Sequence, residues 1–278
     1  MAVKIVTDSS ADLPAELAEE MGISIIPLYV RFGEEVYRDR VTITEDEFYR
    51  RLENDPVHPT TVQPGPQDFL ELYQKLAPGA DGILSLHISS KLSGTCNSAL
   101  MARDMLKEEC PIEVVDSKAL TGGLALMAIA AAQKAKAGES LDKLTKEVKK
   151  SIPKVHLLAL FDTLKYLLLG GRIGKAKALL GSILNVKPLI SLKDGEVVPA
   201  GQVRTRAKGI DKLFDFVKDT AKVQDLAVVH STTPDEAKDL AERLGSIFDR
   251  DKIMITRLGP VLGVHIGPRV LIVALRQS

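Results

Sequence analysis

The chain carries 278 residues, long for one compact core, so two domains are the expectation. Its 37 Lys and Arg balance its 37 Asp and Glu, which removes the electrostatic footprint of a protein built for nucleic acid or an anionic membrane. Aromatics make up 4% with no Trp, so stacking on bases or sugars has little support, while an aliphatic cavity is easy to build.

No stretch reaches the roughly 18 apolar residues of a membrane span. The nearest, Leu120 to Ala132, is too short and is closed by Gln133-Lys134. The opening MAVKIVTDSS enters a strand pattern at once, without a signal-peptide core, and Cys96 and Cys110 lack a zinc-type spacing. A cytoplasmic protein is expected.

In chain order, Val3 to Thr7 reads as a strand and Asp8 to Asp12 as a polar turn. Pro14 then sits where a first helical turn tolerates proline, and the helix runs towards Met21. Ile23 to Val30 reads as a second strand. Thr44 opens a helix to Glu53, with Glu47 at a capping-box spacing. Gln67 to Leu76 is another helix and Ile83 to Ser89 another strand. A polar connection leads into a helix from Thr95 to Glu108, with Ala99, Ala102, Met105 and Leu106 at helical spacing. Strand Ile112 to Val115, a small-residue helix Leu120 to Ala137 and a charged amphipathic helix Gly138 to Ile152 follow. Such alternation predicts an α/β fold with a mostly parallel sheet covered on both faces.

A boundary at Pro153 would divide an N-terminal α/β/α domain, 1–153, from a C-terminal α/β domain, 154–278. Beyond it come strand Val155 to Phe161, a helix through Leu167, a Gly170-Gly171 break and a second helix to Leu184. Ile190 to Leu192 and Glu196 to Val198 flank Lys193-Asp194-Gly195, a hairpin signal. Helix Thr205 to Thr220, strand Leu226 to His230, helix Pro234 to Phe248 and strands Ile253 to Leu258 and Val270 to Leu275 complete the chain. A hairpin together with crossovers implies a mixed sheet in this half.

Polar motifs fall at strand ends, where ligands bind in open α/β sheets. They are TDSSADLP (Thr7 to Pro14), TTVQPGP (Thr60 to Pro66), SSKLSGT (Ser89 to Thr95), VVDS (Val114 to Ser117), GGRIG (Gly170 to Gly174) and GPVLGVHIGP (Gly259 to Pro268). SSKLSGT lies between a strand and a helix start, a geometry that aims N–H groups and a positive dipole end at an anion. Ser93 and Thr95 add hydroxyl donors, and Gly94 allows close approach to the backbone. Each motif also has a plain structural reading. Ser93 or Thr95 could cap a helix, TTVQPGP could be a stiffened loop, GGRIG a helix stop and restart, and His265 a core histidine. There is no GxxxxGK[ST], GxGxxG or HExxH, Ser93 sits in no GxSxG elbow, and Asp8, Asp12 and Asp116 match no carboxylate metal loop.

Taken as an ordered set, these motifs resemble the DegV family, also called the EDD fold, over essentially the whole chain. The resemblance implies a two-domain carrier that binds one long-chain fatty acid, its carboxylate at the domain interface, and presents it to a separate fatty-acid kinase. It implies no catalytic residue, cofactor or metal in this chain. Thr61 and Ser93 match the hydroxyls that hold the carboxylate, with Gly94 and Thr95 beside them, and His265 matches a histidine near the head group. Arg172 and Arg204 match basic positions of the head-group network or the kinase-facing surface. Val62 and Gly65 stand where serines are usual, Cys96 where an aromatic is common, and Ile266 and Arg269 where Thr and Gly follow the histidine. These departures bear on acyl preference and the pocket lid.

The energetics suit such a role. Burial of methylenes at about 0.8 kcal/mol each lets a long tail supply on the order of 10 kcal/mol before binding costs, leaving the hydroxyls to orient the head. Leu120 to Ala132 is a candidate tunnel wall, with ordinary helix packing as its alternative. Two rival functions remain open: a hydrolase with Ser93 as nucleophile and His265 as base, or a small-ketone-binding subunit resembling that of dihydroxyacetone kinases, anchored covalently on His265.

Overall fold

The structure, a computed structural model, describes residues 2–106, 110–179 and 186–278. Strand β1 (Ala2–Asp8) leads into helix α1 (Ala15–Met21), whose end is closed by Gly22 in the left-handed region. Strand β2 (Ile23–Ile26) is shorter than its apolar run. Pro27 has no N–H for a ladder, and the N–H of Leu28 goes to Ser9 Oγ (3.0 Å). The run therefore resumes as a separate strand, β3 (Tyr29–Phe32), which pairs antiparallel with β4 (Glu35–Arg38) and β5 (Thr60–Val62). Sequence reading finds neither β4, which is charged and exposed, nor β5, which has only three residues.

Helix α2 (Glu45–Asn54) is capped by Thr44, whose Oγ1 accepts from Glu47 N. Helix α3 (Pro66–Leu76), strand β6 (Ala80–His87), helix α4 (Thr95–Leu106) and strand β7 (Ile112–Asp116) follow. The strands β2, β1, β6 and β7, in that order, form the parallel sheet expected of the first half. Helices α5 (Thr121–Lys136) and α6 (Leu141–Ser151) come next. Strand β8 (Val155–Leu160), helix α7 (Lys165–Leu169) and strands β9 (Lys187–Lys193) and β10 (Glu196–Val203) open the second half. Then follow α8 (Arg206–Lys218), β11 (Val223–His230), α9 (Pro234–Leu244), β12 (Ile253–Arg257), α10 (Pro260–Ile266) and β13 (Leu271–Gln277). The six-stranded sheet has the order β10-β9-β8-β13-β11-β12, antiparallel except for β11 with β12. It is the mixed sheet that the hairpin signal implied.

At the β9–β10 turn, Asp194 and Gly195 have φ of 51° and 81°, the left-handed pair that a two-residue turn matched to strand twist demands. After the Gly170-Gly171 break the chain forms a 3-10 turn, Gly174–Leu179. The rest of the helix expected to Leu184, and the expected helix end at Glu108, lie outside the described residues. Helix α10 is unheralded in sequence, because its apolar residues lie among glycines and prolines.

Every strand of the mixed sheet follows Pro153, and every strand of the two smaller sheets precedes it. Helix α5 joins the two regions. Its buried residues form one apolar cluster with Ile5 and Leu84 of the parallel sheet and Ala227, Ile272 and Ala274 of the mixed sheet. A Cβ at Gly122 would stand 3.0 Å from both Ala227 and Val229, so glycine lets the helix lie flush on β11. Ordinary packing thus accounts for α5, and only Leu120, just before it, lines the cavity described next.

Candidate functional site

Thr61, Ser93, Arg172 and His265 come from four separate segments and line one cavity of about 100 Å³. Thr61 lies on β5, in register with Val30. Ser93 lies in the loop between β6 and α4, Arg172 after the Gly170-Gly171 break, and His265 on α10. Nine aliphatic residues complete most of the wall: Leu28, Ile88, Leu92, Leu120, Leu167, Val197, Val261, Leu262 and Ile266, with Gln63 as the fifth polar member. An apolar chamber with a few convergent polar groups is the usual form of a small-ligand site.

Thr61 Oγ1 and His265 Nε2 are 2.9 Å apart. The imidazole is pressed against backbone on its other side, where a Cβ at Gly170 would meet Nδ1 at 2.1 Å. Burial first, then the positive charges of Arg172 and His58, push the pKa of His265 down to about 4. It is therefore a neutral hydrogen-bonding group at physiological pH. Arg172 donates from Nε to Leu92 O (3.2 Å) and from Nη1 to Gly170 O (2.9 Å), tying the serine loop to the histidine's backbone support.

Ser93 Oγ pairs with Thr95 Oγ1 (2.8 Å) and accepts from Thr95 N (3.3 Å), so it caps the start of α4 as well as facing the cavity. Thr95 itself is buried behind it. The close approach that Gly94 permits is made by the Gln63 amide, whose Oε1 would lie 2.4 Å from a Cβ there. Gln63 Nε2 donates onward to Ser98 Oγ (3.2 Å). Arg204 is exposed beyond β10 and is not among the cavity-lining residues.

Helix α10 is positioned by two buried carboxylates that sequence reading did not link to it. Gly259 N donates to Asp12 Oδ1 (2.7 Å) and Val261 N to Asp39 Oδ1 (3.4 Å), both at the helix start. Burial raises Asp12 to about 6 and Asp39 to about 7, despite the opposing charge of Arg40. Their only sequence cue was polar residues inside the turns following β1 and β4.

The chain does contain a Ser-His-Asp relay, but away from Ser93. Tyr73 OH donates to Ser85 Oγ (2.8 Å), Ser85 Oγ contacts His87 Nε2 (2.6 Å), and His87 Nδ1 contacts Asp8 Oδ2 (3.0 Å). All four residues are fully buried, so no substrate reaches the serine. Asp8 Oδ2 also accepts from Ile88 N (3.0 Å), which fixes the start of the loop carrying Ser93. At Ser93, no hydrogen bond joins its hydroxyl to His265 among the described residues. The base a hydrolase needs is thus engaged elsewhere. Among the described residues no cluster of three or more His, Cys, Asp and Glu could hold a metal ion, and no helix is long and apolar enough to cross a membrane.

Comparison with known proteins agrees with this architecture. The family model of DegV, described as an uncharacterised protein family, matches residues 2–277. A DegV domain-containing protein of Streptomyces coelicolor is 39% identical over 279 residues, covering 97% of this chain and 96% of its own. Protein DegV of Bacillus subtilis is 32% identical over 275 residues, covering 98% of both chains. Among solved structures, a fatty-acid-binding DegV family protein of Thermus thermophilus superposes with a TM-score of 0.93 at 32% identity, over 100% of both chains. A stearic-acid-binding protein of Eubacterium ventriosum does so with a TM-score of 0.89 at 28% identity, covering 99% of this chain and 98% of its own. This chain belongs to the DegV family, in which solved members bind fatty acids.

Proposed function

We propose that this chain binds one long-chain fatty acid in the Thr61–His265 cavity and presents its carboxylate to a separate fatty-acid kinase, with 1–153 and 154–278 as the two domains closing over it. The observation that carries this reading is the meeting of Thr61, Ser93, Arg172 and His265 in the wall of one otherwise aliphatic chamber. Aliphatic walls suit an acyl tail, and hydroxyls beside a guanidinium suit a carboxylate. Thr61 can donate to that carboxylate only if its Oγ1 accepts a hydrogen bond from His265 Nε2–H, so the neutral histidine orients the hydroxyl. Gly94 and Thr95 support Ser93, and the exposed Arg204 belongs to the kinase-facing surface.

The cavity is smaller than the roughly 300–1,000 Å³ of pockets for drug-sized ligands. A long tail must therefore part the aliphatic wall, whose Val197 and Leu167 come from the β9–β10 hairpin and from α7. The chain lacks a nucleotide loop. Alone it should neither consume ATP nor phosphorylate fatty acid, and with a cognate kinase and ATP it should support acyl phosphate formation. Thr61→Ala with Ser93→Ala should lower that flux at least tenfold, a loss of two charge-assisted hydrogen bonds. Unaided turnover of ATP or a fatty ester that disappears with Ser93→Ala would replace the carrier by an enzyme.

A further inference from the structure

We infer that the chain has a second ligand site, for a small amphipathic anion, in the cleft between the end of α6, the β7–α5 link and the tip of the β9–β10 hairpin. This cleft encloses about 390 Å³, more than the Thr61–His265 cavity, and Leu120 is the residue common to both linings. Its apolar floor includes the buried Leu120 and Leu157 with the half-buried Ile152, Val155 and Leu192. Three exposed lysines, Lys118, Lys149 and Lys193, line it against a single carboxylate, Asp194.

Those lysines are largely uncompensated. Lys149 Nζ stands 3.8 Å from Glu113 Oε2, a loose pair, and the ammonium groups of Lys118 and Lys193 have no ion-pair partner among the described residues. An ammonium group beside apolar surface selects a ligand with both characters, an anionic head for the charge and an aryl or acyl body for the floor.

The wall between the two cavities is also held in strain. Lys118 and Thr121 have φ of 52° and 45°, and they flank Ala119-Leu120. A left-handed backbone is disfavoured for an L-residue, and for a β-branched residue it is an outlier. Such strain persists where surrounding contacts over-determine it, and it gathers at ligand sites. Here Asp116 Oδ1 accepts from Lys118 N (2.9 Å) and Ser117 Oγ accepts from Ala119 N (3.1 Å). The hairpin tip presses from above, where a Cβ at Gly195 would lie 3.4 Å from Lys118 Cα. On the opposite wall His156 is fixed by its Nε2 contact with Gln277 Oε1 (2.9 Å). The cleft is preformed.

The probe is 8-anilinonaphthalene-1-sulfonate, an amphipathic monoanion that fluoresces in apolar surroundings, titrated into protein preloaded with one equivalent of oleate. The expected result is one dye per chain, retained in the presence of oleate. Its affinity should fall about tenfold or more in K118E/K193E and also in 1 M salt, as for ligand charges paired near a surface. K118Q and K193Q, which each remove one charge, should each weaken the dye several-fold and serve if the double reversal fails to fold. Dye binding abolished by oleate preloading, or unchanged by the lysine substitutions, would overturn the second site.

Discussion

His265 is held as a neutral imidazole by burial, and that has a pH consequence. Its folded pKa of about 4 lies below the ordinary 6.5, so the unfolded chain binds the extra proton first. Its contribution to stability is therefore intact above pH 6.5 and is lost as pH falls from 6.5 to 4. Asp12 and Asp39 are shifted upward and act in the opposite sense, since their burial cost is relieved on acidification. His265→Gln isolates the histidine. Between pH 7 and pH 5 the wild type should lose on the order of 2 kcal/mol more than the variant, read from urea midpoints. Equal losses would mean that the imidazole is not held neutral. Gly170 is the companion residue. Gly170→Ala forces a methyl into the space of Nδ1, and an overpacking cost of about 1–3 kcal/mol should appear as weaker fatty-acid retention. Thr61, Ser93 and His265 were legible in sequence as motif members. The need for glycine at 170 was not, because its partner sits on a distant helix.

The elements divide between local and distant determinants. The Thr44 cap, the Pro14 start and the Asp194-Gly195 turn were readable because each depends on adjacent residues. Helix α10 was not, because its partners are remote. The split of β2 from β3 was missed although Pro27 marks it, because the bond that completes it, Leu28 N to Ser9 Oγ, joins separate segments. A Cβ at Gly263 would meet Phe48 at 2.4 Å, so α10 exists by lying flush on α2. The β9–β10 hairpin shows the same dependence at its tip, where Ser89 Oγ donates to Gly195 O (2.8 Å). This bond joins the hairpin to the loop that carries Ser93. Ser89→Ala should leave the fold intact and release bound fatty acid several-fold faster, as losing about 1 kcal/mol at a latch implies. An unchanged off-rate, measured by stopped-flow exchange with a fluorescent acid, would show that the hairpin does not gate the cavity.

At the scale of the molecule, alternating strand and helix patterns were enough to expect two unlike sheets, one parallel and one mixed. The small antiparallel sheet that carries Thr61 escaped, because β5 is short and β4 polar. Helix α5 binds both regions into one apolar cluster, which places the polar strand-end loops around a common chamber. No local pattern encodes that convergence, since the five polar lining residues come from four segments. Resemblance to a family supplied the expectation, and the shared cavity is what supports it. The most direct test is native mass spectrometry of the chain purified from a bacterial host, beside the Thr61→Ala/Ser93→Ala variant. The account predicts one long-chain fatty acid per wild-type chain and a markedly smaller loaded fraction in the folded variant. A wild-type protein that carries no lipid and takes up none when offered, or a variant that retains its lipid undiminished, would contradict it.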